Sequence, residues 1–198
     1  MDDNWHGYDL VGGHLALDLT NTVSWRRDPA RYRDRLTLPG FLPAWLERTG
    51  LATELTDAAL APVLPALTAL REATFDVITT GGTDTDGLAV LHRHLAAAHR
   101  VAAPATGLPL RWTLDVTGPG DVVPALALAV EDLLTSPDVE LVGECAGPAC
   151  AWLFVDRTRN RSRRWCSSAD CGNRERARRH YRRTHGRVVG HPGGHPGE

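Results

Sequence analysis

All four cysteines of this 198-residue chain fall between positions 145 and 171, in two pairs. Four residues separate Cys145 from Cys150, fifteen lie between the pairs, and four separate Cys166 from Cys171. A tetrahedral metal site needs four thiolates delivered as two tight knuckles joined by a hairpin-length connection, and this spacing supplies them. The ion expected is one structural Zn2+, because a shell of four thiolates leaves no open position for catalysis. The competing use of the cysteines is two disulfides, which persist in oxidising compartments. The first ten residues, MDDNWHGYDL, lack the apolar centre of a secretion signal and are expected to form a loosely held arm. The chain is therefore read as cytoplasmic and its thiols as metal ligands.

Arginine surrounds these cysteines. Between Phe154 and Cys166 stand Arg157, Arg159, Arg161, Arg163 and Arg164. After Cys171 the sequence GNRERARRHYRRT predicts a helix running to Thr184. At about 100° per residue, Arg174, Arg176, Arg178, Arg179, Arg182 and Arg183 share one broad arc. Asn173, Ala177, His180, Tyr181 and Thr184 take the rest and are expected to pack on the metal module. Guanidinium groups arrayed in this way grip phosphates or read guanine edges. The charge balance agrees. Residues 1–140 hold 10 arginines against 19 carboxylates, net −9, whereas 141–198 hold 12 against 5, net +7. A basic module on an acidic body points to an anionic partner, nucleic acid first.

The run Phe154, Asp156, Thr158, Arg159, Asn160, Ser162, Arg163, Arg164, Trp165, Cys166, followed by Cys171, Gly172, Asn173 and Arg174, resembles the finger of the bacterial CGNR zinc-finger proteins. Thr158 stands where serine is more usual in that pattern. The resemblance implies a treble-clef-like fold and DNA binding in stress-related transcription regulation. It also implies an N-terminal domain of the ABATE type, which this chain resembles through Gly12, Gly13, His14, Asp18, Asn21 and Thr22. His14, Asp18, Asn21 and Thr22 form a polar group within an apolar run. They are expected either to cap a helix and a turn or to line a cleft for a small ligand.

Apolar periodicity supplies the elements that must position these groups. Helices are predicted at about 40–49, from Thr53 to Thr79 with a break or kink at Pro62 and Pro65, from Asp84 through Ala98, and from Asp121 to Leu134. Arg111 to Val116 alternates as a strand, and Leu10 to Val23 reads as a short strand leading into a helix or turn. Val139 to Val142 and Trp152 to Val155 are expected to form the finger's hairpin. The fold class is therefore α+β: an α-rich N-terminal domain with a few strands over 1–138, and a small four-cysteine finger over 139–186. The two cores are expected to be independent. Residues 187–198, rich in Gly, Pro and His, are expected to be a disordered tail.

His92 and His94 point about 200° apart on a helix, which argues against a metal cluster. Asp84 to Gly87 lacks the later ligands of a calcium loop. There is no glycine-rich phosphate loop, no convincing pairing of a nucleophile with a base, and no apolar run near the ~20 residues of a membrane span. The sequence thus reads as a DNA-binding regulator and not as an enzyme, with a ligand-sensing or dimerising N-terminal domain. The alternative is an RNA-binding or protein-binding zinc adaptor.

Overall fold

The computed structural model describes residues 8–185, so the expected tail lies outside the described residues. Helix α1 (Leu15–Thr20) is short, but Ala16 to Thr20 are all buried, which puts it at the centre of the molecule. It packs on α4 (Leu64–Thr79) and α6 (Val122–Thr135), and α5 (Thr85–His99) packs on both of these. Leu17, Leu19, Leu67, Leu70, Leu91, Leu126 and Leu133 meet in this core. Removing any one of these leucine side chains should cost about 2–5 kcal/mol.

The ends of the helices follow local chemistry. Asp84 caps α5 by accepting from the Gly87 amide at 3.0 Å. Gly50 closes α2 (Phe41–Thr49) in the left-handed region, at φ 70°. The helix predicted from Thr53 starts at Asp57 and is broken at the prolines, as expected. The single turn α3 (Asp57–Leu60) is capped by Thr56, and a 3-10 turn over Ala61–Val63 leads into α4, because Pro62 and Pro65 each lack the N–H that would continue the ladder.

The strands are short. β1 (Val23–Ser24) pairs with β2 (Arg33–Asp34), and β3 (Ala103–Pro104) pairs with β4 (Trp112–Thr113), which is all that forms of the strand expected over 111–116. No strand precedes α1 among the described residues: Gly12 and Gly13 turn directly into it. The β1–β2 ribbon is fixed to α4 by Arg71, whose buried guanidinium donates to both Asp34 carboxylate oxygens, at 2.6 and 2.7 Å.

In the finger, a 3-10 turn (Pro137–Leu141) replaces the first part of the predicted strand. β5 (Val142–Glu144) and β6 (Leu153–Val155) make the hairpin, and one π-turn (Ser168–Gly172) leads into α7 (Asn173–His185).

The expected independence of the two cores is overturned. Leu153 and Val155 of β6 belong to the same buried cluster as the helices. The Asn21 side chain receives the Leu153 N–H at 2.8 Å and donates to the Leu153 carbonyl at 2.9 Å. The Val155 N–H donates to Gly12, and the Trp152 indole donates to Val23. Tyr8, expected in a loose arm, packs edge-on against Phe41 and Trp152 and donates to the Asn21 carbonyl at 2.7 Å. The physical reason is size. Apart from its cysteines, the finger buries Phe154 as its own apolar centre, too little to support a hairpin in water. Calorimetry of the zinc-loaded protein should therefore give one cooperative unfolding transition. Two resolved transitions would contradict a shared core. Asn21→Leu, which orphans both backbone groups of Leu153, should lower stability by about 2–4 kcal/mol in urea titrations.

Candidate metal centre and basic helix

The two knuckles bring all four thiols together. The four Sγ atoms lie within 4.8 Å of one another and all four residues are buried. Cys150 and Cys166 sulfurs are 3.8 Å apart, and those of Cys166 and Cys171 are 3.5 Å apart. A tetrahedron with Zn–S bonds of about 2.3 Å has edges of about 3.8 Å, so the donor set fits zinc and is far too open for disulfides. The cysteines are free thiols. Close approach perturbs them mutually: Cys150 holds the Cys145 thiol down, and Cys145 pushes the Cys166 thiol up. Four thiolates cannot be buried side by side without a cation, and that cation supplies folding energy.

The backbone is shaped to this set. Gly147 lies under the cluster, where a Cβ would come within 3.0 Å of the Cys171 sulfur and 3.3 Å of the Cys145 sulfur. Its N–H donates to Cys145 Sγ at 3.4 Å. Ala149 and Ala151 flank Cys150 at φ 61° and 58°, a left-handed conformation that alanine rarely adopts. Bound zinc would offset that strain. Arg174 donates to Cys171 Sγ at 2.9 Å, pairs with Asp170 and stacks 4.7 Å from the Trp25 ring. It opposes the net negative charge of a zinc–tetrathiolate and ties the finger to the helical domain.

A family model called ABATE, described as "Putative stress-induced transcription regulator", matches residues 13–137. That span is more than half of the chain. The protein belongs to the ABATE family. A second model, the CGNR zinc finger, matches residues 142–184. No curated protein matches the chain. No described helix is long and apolar enough to cross a membrane.

In the ABATE domain the polar group His14, Asp18, Asn21 and Thr22 is brought together, but as a joint and not around a cleft. His14 caps α1, with Nδ1 accepting from the Ala16 N–H at 3.2 Å, while its Nε2 lies 3.3 Å from Asp132. Asp18 accepts from the Gly12 N–H at 2.8 Å. Thr22 donates to Leu19 and accepts from Arg71. With Asn21 holding Leu153, these groups have partners inside the molecule, and His14 caps α1 as the capping reading expects. Gly12 is required here, since a Cβ would lie 2.8–2.9 Å from Leu17 and Asp18 atoms.

Of the eleven arginines of the loop and helix, Arg157 pairs with Asp138 and Arg176 donates to Ser168 and Asn173; the other nine divide in two. Arg163 is internal: its guanidinium donates to the carbonyls of Val11, Cys166, Trp165 and Val155 and lies 4.1 Å from the Phe154 ring centre. Arg174 is committed to Cys171, Asp170 and Trp25. Neither is free for a phosphate, because their donors are already taken by acceptors within the molecule. Arg159, Arg161, Arg164, Arg179, Arg182 and Arg183 are exposed and Arg178 is half-buried. Among the described residues only Arg182 of these seven has an acidic partner, Glu175 at 3.0 Å.

Helix α7 also departs from expectation. None of its residues is buried, Tyr181 is 62% exposed, and Ala177, His180 and Thr184 are not packed away either. It projects from the π-turn with no apolar side against the finger. Sequence reasoning missed Asn21 as a clamp and Arg71 as a buried ion pair. The first was visible only as a polar residue in an apolar run, and the second had no local signal.

Two outcomes follow from this geometry. Protein purified under reducing conditions should carry one zinc per chain by elemental analysis. Gly147→Val, which pushes carbon into two sulfurs, should release zinc to a chelator faster than wild type, and unchanged retention would contradict the fit. The second concerns Asp18, whose carboxyl is raised from 3.8 to about 6 by burial, against the Gly12 N–H that lowers it. The folded-state value lies above the unfolded one, so the neutral carboxyl's contribution is present below pH ~4 and lost as pH rises through ~6. Between pH 5.5 and 7.5 the wild type should lose about 1 kcal/mol relative to Asp18→Asn in urea titrations. Parallel stability curves would contradict that.

Proposed function

We propose that this protein is a DNA-binding transcription regulator whose contact surface is α7 with the arginine loop before Cys166. One observation carries the reading. Helix α7 has arginines on an exposed surface and buries none of its residues, and a helix polar all round needs a partner to stabilise it. Arg178, Arg179 and Arg183 have no acidic partner among the described residues. Arg159, Arg161 and Arg164 project from the loop, with Arg164 stacked 5.4 Å from the Trp165 ring centre. Zinc links the two, since Cys166 ends the loop and Cys171 precedes the helix. The role assigned to the metal is structural and the protein's activity is binding, not catalysis. The ABATE domain would carry the regulatory input.

Salt titrations of duplex binding by fluorescence anisotropy test this. Affinity should fall with salt at a log–log slope of about −0.9 per neutralised phosphate. Arg178→Ala with Arg182→Ala should flatten the slope by roughly two, one per lost contact. Arg163→Ala should instead lower stability and zinc retention. Equal binding by wild type and the double variant, or no binding above background at low salt, would remove the DNA reading. Capture of single-stranded RNA in its place would favour the RNA-binding adaptor.

A further inference from the structure

A concavity of about 610 Å³ lies between β4 and α6, and none of its lining residues belongs to the finger. Leu114, Ala125 and Leu128 give it an apolar floor. Its volume is that of a small-molecule site, too little for a folded partner. The hairpin beside it leaves Leu108 92%, Leu110 55% and Trp112 39% exposed. Apolar side chains uncovered together around a hollow mark a surface that takes a ligand.

Charge selects the class of ligand. Asp115, Glu131 and Asp132 line the concavity against one cation, Arg111. Arg111 is already held by Asp132 at 2.8 Å, and Asp115 is exposed with no partner among the described residues. Glu131 faces His99 at 3.0 Å, and the His99 ring packs edge-on against Trp112, 5.1 Å between centres. An anion would meet net negative charge here, whereas a cation would find carboxylates and an indole together.

We propose that this concavity binds a lipophilic organic cation, with the charged head among Trp112, Asp115 and Glu131 and the apolar body on the floor beneath. The wall of the site reaches the joint with the finger. Asp132 contacts His14, and the adjacent Gly12 and Gly13 carbonyls accept from Val155 and Arg157 of the finger. Use of such a ligand as an effector rests on the regulatory reading above. Binding itself does not, and is measured without DNA so that either can fail alone.

The test is titration calorimetry on the full, zinc-loaded chain with benzyltributylammonium and, as the charge-reversed control, 4-butylbenzenesulfonate. The cation should bind at least about tenfold more tightly than the sulfonate. Asp115→Asn with Glu131→Gln should weaken the cation by about tenfold or more, and Trp112→Leu, which keeps apolar area, should weaken it several-fold. Circular dichroism and zinc content establish that both variants are folded. Equal binding of the two ions, unchanged cation affinity in the folded double variant, or no binding of the cation at millimolar concentration would overturn the site.

Discussion

One side-chain amide, Asn21, closes on both backbone groups of Leu153, and the finger stands on that contact. The hairpin β5–β6 is three residues on each side. A ribbon of that length has no independent stability in water. Its β6 strand is wholly buried because one side joins the helical core through Leu153 and Val155 while Phe154 turns to the cysteines. A strand buried on both faces needs its backbone groups satisfied, and β5 pairs only one edge. Asn21 and Gly12 supply the partners on the other side. The two family models that meet in this chain therefore describe segments of sequence, while the packing is continuous across them.

That continuity sorts the arginines. Near the joint, guanidinium groups act as internal fasteners: Arg163 gathers four carbonyls, Arg157 pairs with Asp138 and donates to Gly13, and Arg174 spans sulfur, carboxylate and indole. Beyond the joint, from Arg178 onward, nothing in the described molecule takes up their charge except Glu175. Glu175 in the first turn, with Arg182 and Arg183 in the last, also matches the helix dipole, which helps an exposed helix persist. Under the proposed function, the acidic body and basic helix would orient approach to an anionic polymer.

Much of this was legible from residues. The thiolate set followed from spacing, because ligand number and knuckle size are local constraints. The helices followed from apolar periodicity. What stayed hidden was long-range. Pro62 and Pro65 announced a break, but only packing fixed α3 as a single turn. The four polar residues from His14 to Thr22 could equally have capped or lined a cleft. Their partners, Leu153, Asp132 and Arg71, lie 49 to 132 residues away along the chain. Arg163 looked like its neighbours until the carbonyls around it were in place. Helical spacing placed the arginines of α7 on one arc, yet it could not show that the opposite arc also faces water.

The metal site and the central helix α1 share one cooperative structure. Hydrogen exchange with and without a zinc chelator tests this most directly, read at the amides of Leu153, Val155 and the C-terminal half of α1. Stripping the metal should lower protection at Leu153 and Val155 and also at Leu19 and Asn21, since the clamp that orders them loses its far side. Loss of protection confined to residues after Glu144, with α1 unchanged, would contradict it.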